Sequence, residues 1–148
     1  MFESGLTLQE RQLRLLLQWW VGVFFGAAIV FGAAAEQVIY WLNSIGHVLF
    51  NWPGNTLQLP AEHFWQVLAV ALLVVLTYAA FVAQRDVRQN LSFVKIIIVS
   101  KLASVIGFVL AFVLDGPYFA YLAGAVIDFI ILAMTWFCYS RTLTSRAL

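Results

Sequence analysis

Two charged residues, Lys101 and Asp128, lie inside long apolar stretches of the sequence and offer its clearest chemistry. An aspartate near the bilayer centre costs roughly 2.5–3.5 kcal/mol on insertion scales, and an ionisable residue at that depth is by default a candidate functional site. A chain that turns back at Gly116 brings these two residues to within about three positions, or about 4.5 Å along the helix axis, of the same level. We therefore expect a buried Lys101–Asp128 ion pair; the alternative is an Asp128 that burial keeps protonated.

Further polar residues share the helix faces of this pair. At 100° per residue, the polar residues around Asp128 fall within an arc of about 40°, and those around Lys101 fall within about 120°. Since lipid is the costlier neighbour for a polar atom, both faces are expected to point into the protein. The predicted cluster contains Ser100, Ser104, Tyr121, Thr135 and Tyr139 in addition to the pair, and Ser104, Tyr121 and Thr135 are expected to support the pair directly.

The composition indicates what kind of structure holds the pair. The 148 residues are 64% hydrophobic and 10% charged, with a mean hydropathy of +0.93. A soluble domain has roughly 45–50% apolar and about 25% charged residues. These values exclude a disordered chain, a nucleic-acid binder and a water-soluble globule. The sequence therefore predicts an integral membrane protein whose first partner is the lipid bilayer.

Four apolar stretches are long enough to cross a bilayer core about 30 Å thick, and within lipid each must be helical. The short connection Asp115-Gly-Pro117 predicts that the last two form an antiparallel hairpin. We expect an all-α fold, with residues 1–148 forming a single four-helix transmembrane domain in an up-down bundle. The predicted spans are residues 15–35, 64–84, 91–114 and 117–140.

The basic residues predict the orientation of the bundle. Seven of the eight Lys and Arg residues lie before the first span, around the connection at 85–95 or after the fourth span. The connections at 36–63 and 115–117 contain none. Because cytoplasmic connections are enriched in Lys and Arg, both termini should be cytoplasmic, and the expected location is the bacterial cytoplasmic membrane. Aromatic residues expected near the interfaces are Trp19, Trp20, Tyr40, Trp41, Trp52 and Trp65.

Two local patterns complete the map of predicted elements. Thr7 and Glu10 have the spacing of a capping box, which predicts a helix start just before the first span. Within the connection at 36–63, apolar residues recur at helical spacing from Val38 to Leu49, and polar residues fall opposite them. This pattern predicts a short amphipathic helix on the outer surface, between the first and second spans.

The first two spans also carry small and polar faces, which are predicted to point inward. Their members are Gln18 and Glu36, with Gly22 and Gly32, in the first span, and Gln66 and Thr77 in the second. We interpret these faces mainly as packing surfaces. Gly22 and Gly26 also match the small-xxx-small pattern of helix–helix contacts in membranes.

We weigh two functions. The first is a structural or accessory subunit that self-associates or joins a larger membrane complex, with the ion pair fixing the register of the last two helices. The alternative is a small proton-coupled or cation transporter that uses Asp128 as its coupling carboxylate. The four-helix architecture resembles that of the small multidrug exporters, whose membrane carboxylate lies in the first helix rather than the fourth.

An enzyme or metal protein is less favoured. His47, His63 and Glu62 fall on the predicted outer side but match no metal-ligand spacing, so they are weak candidates and no metal site is predicted. No recognisable nucleophile arrangement is present, and the sequence predicts neither a cofactor nor a particular small-molecule ligand.

Overall fold

The computed structural model describes residues 6–58 and 63–147 and contains four helices within them. These are α1 (Leu8–Phe50), α2 (Phe64–Arg85), α3 (Leu91–Leu114) and α4 (Phe119–Ala147). Each is long and apolar enough to cross a membrane. The prediction of an all-helical protein with four apolar helices is therefore confirmed.

Contacts at both ends define an up-down bundle. At one end, which we call the base, the side chain of Glu10 accepts a hydrogen bond from Arg88 in the α2–α3 connection. At the same end, the hydroxyl oxygen of Thr142, near the end of α4, lies 3.4 Å from the carbonyl oxygen of Gln9. At the opposite end, the rim, the indole of Trp52 after α1 donates to the carbonyl oxygen of Pro117 between α3 and α4. Each helix packs on the next in the order α1, α2, α3, α4, and α4 closes the bundle against α1.

Helix α1 is longer than a single span requires. Its 43 residues correspond to about 65 Å, roughly twice the thickness of a bilayer core. It starts with the predicted capping box, in which the Thr7 hydroxyl accepts from the Glu10 N–H and the Glu10 carboxylate accepts from the Thr7 N–H. A single residue with non-helical angles, Ala34 (φ −149°, ψ 40°), divides it.

The separate short helix predicted in the 36–63 connection is not found among the described residues. Residues 35–50 are helical, as the periodicity indicated, but they continue α1 beyond Ala34 without a connecting loop. The sequence has no proline or charge cluster near Ala34 to end a helix. Extending an existing helix by further residues is favourable, whereas nucleating a new helix is costly. The chain therefore remains helical after Ala34.

The break in α1 is stabilised by Gln66 of α2. A non-helical Ala34 takes the carbonyls of the preceding turn away from their usual N–H donors. The side-chain amide of Gln66 donates to the carbonyl oxygens of Phe31 (2.8 Å) and Gly32 (3.1 Å). A side chain inserted into the backbone ladder is one of the recognised causes of a helix kink.

The apolar core is concentrated in the half of the bundle next to the base. There α1 contributes Leu13, Leu17 and Phe24, and the facing parts of the other helices contribute Leu76 and Ile97, all 1% exposed or less. In the rim half, the buried residues are small, such as Ala35, Gly46 and Ala125. The fully buried side chains are therefore large near the base and small near the rim, where a less buried cluster of aromatic rings also joins the end of α1 to α3 and α4.

Gly46 marks one such close approach, where the end of α1 meets Phe119 at the start of α4. A Cβ atom at position 46 would lie 2.7 Å from Cγ of Phe119. We expect Gly46→Ala to lower the free energy of unfolding by about 1–3 kcal/mol, because the ring and the helix behind it must move. Equilibrium unfolding in mixed detergent micelles measures this change.

Gly107→Ala is the matched control, since a Cβ there would have nothing within 4 Å. It should leave stability unchanged or raise it by up to about 1 kcal/mol, because alanine is the better helix former. Equal losses for the two variants would contradict the packing described for Gly46.

Candidate functional site

Lys101 and Asp128 form the predicted ion pair between α3 and α4. The ammonium Nζ lies 2.7 Å from Oδ1 of Asp128, and the two side chains are 9% and 11% exposed. Lys101 is within about 2 Å of the midpoint of α3 along its axis. Two opposite charges thus meet halfway along the α3–α4 hairpin, at the side of the packed core that is nearer the rim.

The second oxygen of Asp128 is also occupied. Ser104 lies three residues after Lys101 on the same face of α3, and its hydroxyl donates to Oδ2 of Asp128. Both carboxylate oxygens therefore accept a hydrogen bond from α3. This contact was predicted from the helix face that Lys101 and Ser104 share.

Helix α1 contributes an aromatic ring to the pair. The ammonium of Lys101 lies 5.2 Å from the centre of the Phe24 ring, within the range in which a ring face attracts a cation. Phe24 is 1% exposed and reaches across the bundle to α3. The pair is therefore enclosed by side chains from three helices.

Thr135 does not support the ion pair, and that prediction was wrong. Its hydroxyl accepts a hydrogen bond from the Trp20 indole (2.9 Å) and donates to the carbonyl oxygen of Ile131 (2.6 Å). Thr135 lies seven residues, or about 10 Å, closer to the base than Asp128. Trp20, expected at an interface, is instead 8% exposed in the core, where this bond satisfies its N–H.

Tyr121 was also predicted to support the pair and does not. Tyr121 lies seven residues, or about 10 Å, closer to the rim than Asp128. Its hydroxyl oxygen is 3.5 Å from Oδ2 of Asp115. Tyr139 is buried near the base, beside Trp136. Ser100 is half-buried, and among the described residues neither it nor Tyr139 hydrogen-bonds to the pair. The predicted cluster residues of α4 thus lie at several levels of the bundle rather than around the ion pair.

The small and polar face of α1 points outward rather than inward. Gln18, Gly22, Gly32 and Glu36 are all exposed, and α1 instead buries a face of large apolar residues. Gln18 and Glu36 lie near the ends of the predicted span, where headgroups and water can satisfy them. The face of α1 that points inward instead brings Trp20 to Thr135 and Phe24 to Lys101.

The predicted face of α2 is divided. Gln66 faces α1, where it stabilises the break at Ala34. Thr77 is half-buried and its hydroxyl donates to the Leu73 carbonyl oxygen of its own helix. Neither residue contacts the ion pair in the described part of the chain.

The described residues contain no group of three or more His, Cys, Asp or Glu that could hold a metal ion. His47 and His63 are both exposed, and Nδ1 of His63 lies 3.0 Å from Oε1 of Gln66. Glu62 lies outside the described residues. The candidate site is therefore the polar cluster within the bundle.

A second charge pair, at the base, was not predicted; its carboxylate is buried and its guanidinium is half exposed. Glu10 is 1% exposed, and its carboxylate accepts from Nε and Nη2 of Arg88, each at 3.0 Å to the nearer oxygen. Hydrogen bonding to Glu10, reinforced by its charge, raises the pKa of the Arg88 guanidinium above its usual value. The available signal was the spacing of Glu10 with Leu13 and Leu17, which places the carboxylate on the buried face.

Comparison with known proteins adds no further assignment. The chain matches no protein-family model, no curated protein and no solved structure.

The ion pair makes a direct prediction about stability. Lys101→Met should lower the free energy of unfolding by about 3–5 kcal/mol, because it leaves the Asp128 carboxylate buried without its cation. Adding Asp128→Asn to this variant should recover much of the loss, so the two changes will be strongly non-additive. Equilibrium unfolding of the single and double variants in lipid–detergent micelles measures the coupling.

Lys95→Met provides the control, because Lys95 is an exposed cation on the same helix. It should change stability by no more than about 0.5 kcal/mol. Purely additive losses at positions 101 and 128 would show that the two charges are not coupled.

Proposed function

We propose that this protein is a small, non-catalytic membrane subunit that assembles with a second copy of itself. The observation that carries the non-catalytic role is that both carboxylate oxygens of Asp128 accept hydrogen bonds from side chains of α3. A carboxylate held in this way fixes the register of a hairpin. Buried polar pairs are best attested in such register-setting roles.

The surface of α1 offers a contact for assembly. A Cβ atom added at Gly22 or Gly26 would have nothing within 4 Å, so packing within this chain does not explain either glycine. Glycine in a helix interior costs about 0.8–1.0 kcal/mol relative to alanine. Small residues spaced by four allow two helices in lipid to approach closely, which would offset this cost.

The proposed orientation has both termini in the cytoplasm, in the bacterial cytoplasmic membrane. Seven cationic residues of the sequence belong to the base and its flanking segments, whereas residues 36–84 and 102–140 contain no Lys or Arg. The positive-inside rule then places the rim outside. In this orientation we propose that residues 35–50 lie at the outer surface, with exposed Tyr40, Trp41 and Val48 among the headgroups.

A coupling role for Asp128 in transport is the second candidate. The observation that favours it is the position of the ion pair, which lies halfway along the bundle. Between the pair and the rim the fully buried residues are all small. Against it, the base is tied together by the Glu10–Arg88 and Thr142–Gln9 contacts, and large side chains fill the space between.

Self-association is tested by native mass spectrometry from lipid nanodiscs. We expect a dimer, and we expect Gly22→Leu with Gly26→Leu to weaken it by about tenfold or more, or about 1.4 kcal/mol, because bulky side chains keep the helices apart. Gly107→Leu, at an equally open glycine on α3, should leave the dimer intact. A monomer that retains no other protein would overturn the assembly role.

Transport is tested by proton and cation flux in proteoliposomes. We expect no flux that depends on Asp128, so the unaltered protein and Asp128→Asn should give the same traces. Asp86→Asn, at the base, controls for a general effect of removing a carboxylate. Flux that is present in the unaltered protein and in this control but lost in Asp128→Asn would favour the transporter.

A further inference from the structure

An open cleft of about 440 Å³ lies at the rim, between the α1–α2 connection and the start of α4. Residues 55–58 form one wall, and Asp115, Tyr118 and Tyr121 form the other. Its volume is in the range of small-molecule sites in proteins. Among the described residues that line it, Asp115 carries the only charge.

The connection that forms the first wall is held in place by side-chain contacts. Asn43 of α1 pairs with the backbone of Leu57 through two hydrogen bonds, donating to its carbonyl oxygen (2.9 Å) and accepting from its N–H (3.1 Å). Closer to α1, the Trp52 indole donates to the Pro117 carbonyl oxygen at 2.7 Å. These bonds anchor the connection to α1 and to the α3–α4 turn, so the cleft does not depend on a ligand to form it.

Gly54 shows how closely the connection approaches the α3–α4 turn. A Cβ atom there would lie 2.2 Å from the Pro117 carbonyl oxygen, so only glycine fits without moving the backbone. Tight packing at Gly54 and an open volume beside it distinguish the cleft from a loosely packed loop.

The second wall combines a carboxylate with two aromatic rings. The Tyr118 and Tyr121 rings are edge to face, with centroids 5.4 Å apart and an interplanar angle of 78°. The Tyr121 hydroxyl oxygen lies 3.5 Å from Oδ2 of Asp115, which places the carboxylate at the hydroxyl end of the Tyr121 side chain, on the same wall of the cleft as both rings. A negative charge next to aromatic rings is the chemistry that recognises organic ammonium ions.

We propose that this cleft binds a small organic ammonium ion, with Asp115 as its counter-charge and the Tyr118 and Tyr121 rings against its alkyl groups. The sequence on the rim side supports this ligand class. Residues 36–84 and 102–127 contain three acidic residues and no Lys or Arg. A cation is therefore attracted to the rim and meets no like charge there. The site is independent of self-association and of Asp128.

Choline is the probe, and titration calorimetry is performed on the full chain in phosphatidylglycerol nanodiscs. The neutral isostere 3,3-dimethyl-1-butanol has the same shape without the charge. We expect choline to bind and the isostere to bind at least about tenfold more weakly. Equal affinity for the two compounds would overturn the proposal.

Variants test the assigned residues. Asp115→Asn and Tyr121→Leu should each weaken choline binding by about tenfold, whereas Tyr121→Phe, which keeps the ring, should bind nearly as well as the unaltered protein. Glu36→Gln removes an exposed carboxylate outside the cleft lining and should have no effect. A loss in Glu36→Gln equal to that in Asp115→Asn would show a general surface charge effect and overturn the site.

The ammonium group can come from a soluble amine or from a lipid headgroup, and a second set of nanodiscs distinguishes them. If added phosphatidylcholine abolishes free choline binding to the unaltered protein, the headgroup occupies the site. If choline still binds, the site takes a soluble amine. Both results support the ammonium site.

Circular dichroism and size-exclusion profiles of each variant establish that it folds, and the isostere comparison needs no variant.

Discussion

A charge buried in the middle of a membrane bundle must meet its opposite, and this constraint determines how α3 and α4 lie against each other. Sliding either helix by one turn, about 5.4 Å, would separate Lys101 from Asp128 and leave both in an apolar environment. Ser104 strengthens the constraint, because it binds the second oxygen of the same carboxylate from the same helix. With the register of the hairpin fixed, Thr135 comes level with Trp20, and Phe24 reaches the Lys101 ammonium. The pair thus also positions α4 and α3 against α1.

Polar contacts then act at three levels, while apolar packing acts mainly at one. Glu10 and Arg88 join helix ends at the base, the central pair joins α3 to α4, and Trp52 joins α1 to the α3–α4 turn at the rim. The fully buried large apolar side chains lie between the base and the centre, whereas at the rim the less buried Trp52 packs against Phe112 and Phe119. In lipid, burying apolar surface between helices brings little hydrophobic gain, so close packing and hydrogen bonds carry the association. The rim half therefore depends on close approach at small residues, a few directed hydrogen bonds and the contacts of Phe119 with Phe50 and Trp52.

The sequence predicted the central pair because a tight turn at Gly116 leaves little freedom in which residues of a hairpin can meet. It failed for α1, where a polar periodicity from Gln18 to Glu36 was read as an inward face and the structure exposes it. Sequence periodicity identifies which residues share a helix face, but it does not tell whether that face points to lipid or to the protein interior when both surroundings are apolar. The break at Ala34 was also not predicted, since the Gln66 side chain that stabilises it lies 32 residues later in the sequence. Such a contact is set by tertiary packing, which local sequence does not encode.

The two ends of the bundle differ in charge as sharply as in packing. Cations flank the base, whereas the sequence of the 36–63 and 115–117 connections contains three acidic residues and no Lys or Arg. At the base, the buried Glu10 carboxylate is paired with the half-exposed guanidinium of Arg88. At the rim, the side-chain hydrogen bond that Asp115 accepts within residues 6–58 and 63–147 comes from the Tyr121 hydroxyl at 3.5 Å, which is too long for a strong hydrogen bond. A carboxylate with a weak neutral partner retains its attraction for a cation from solution. The carboxylates at the base and the centre are thus used to hold helices together, and Asp115 is left facing an open cleft in which a ligand can reach it.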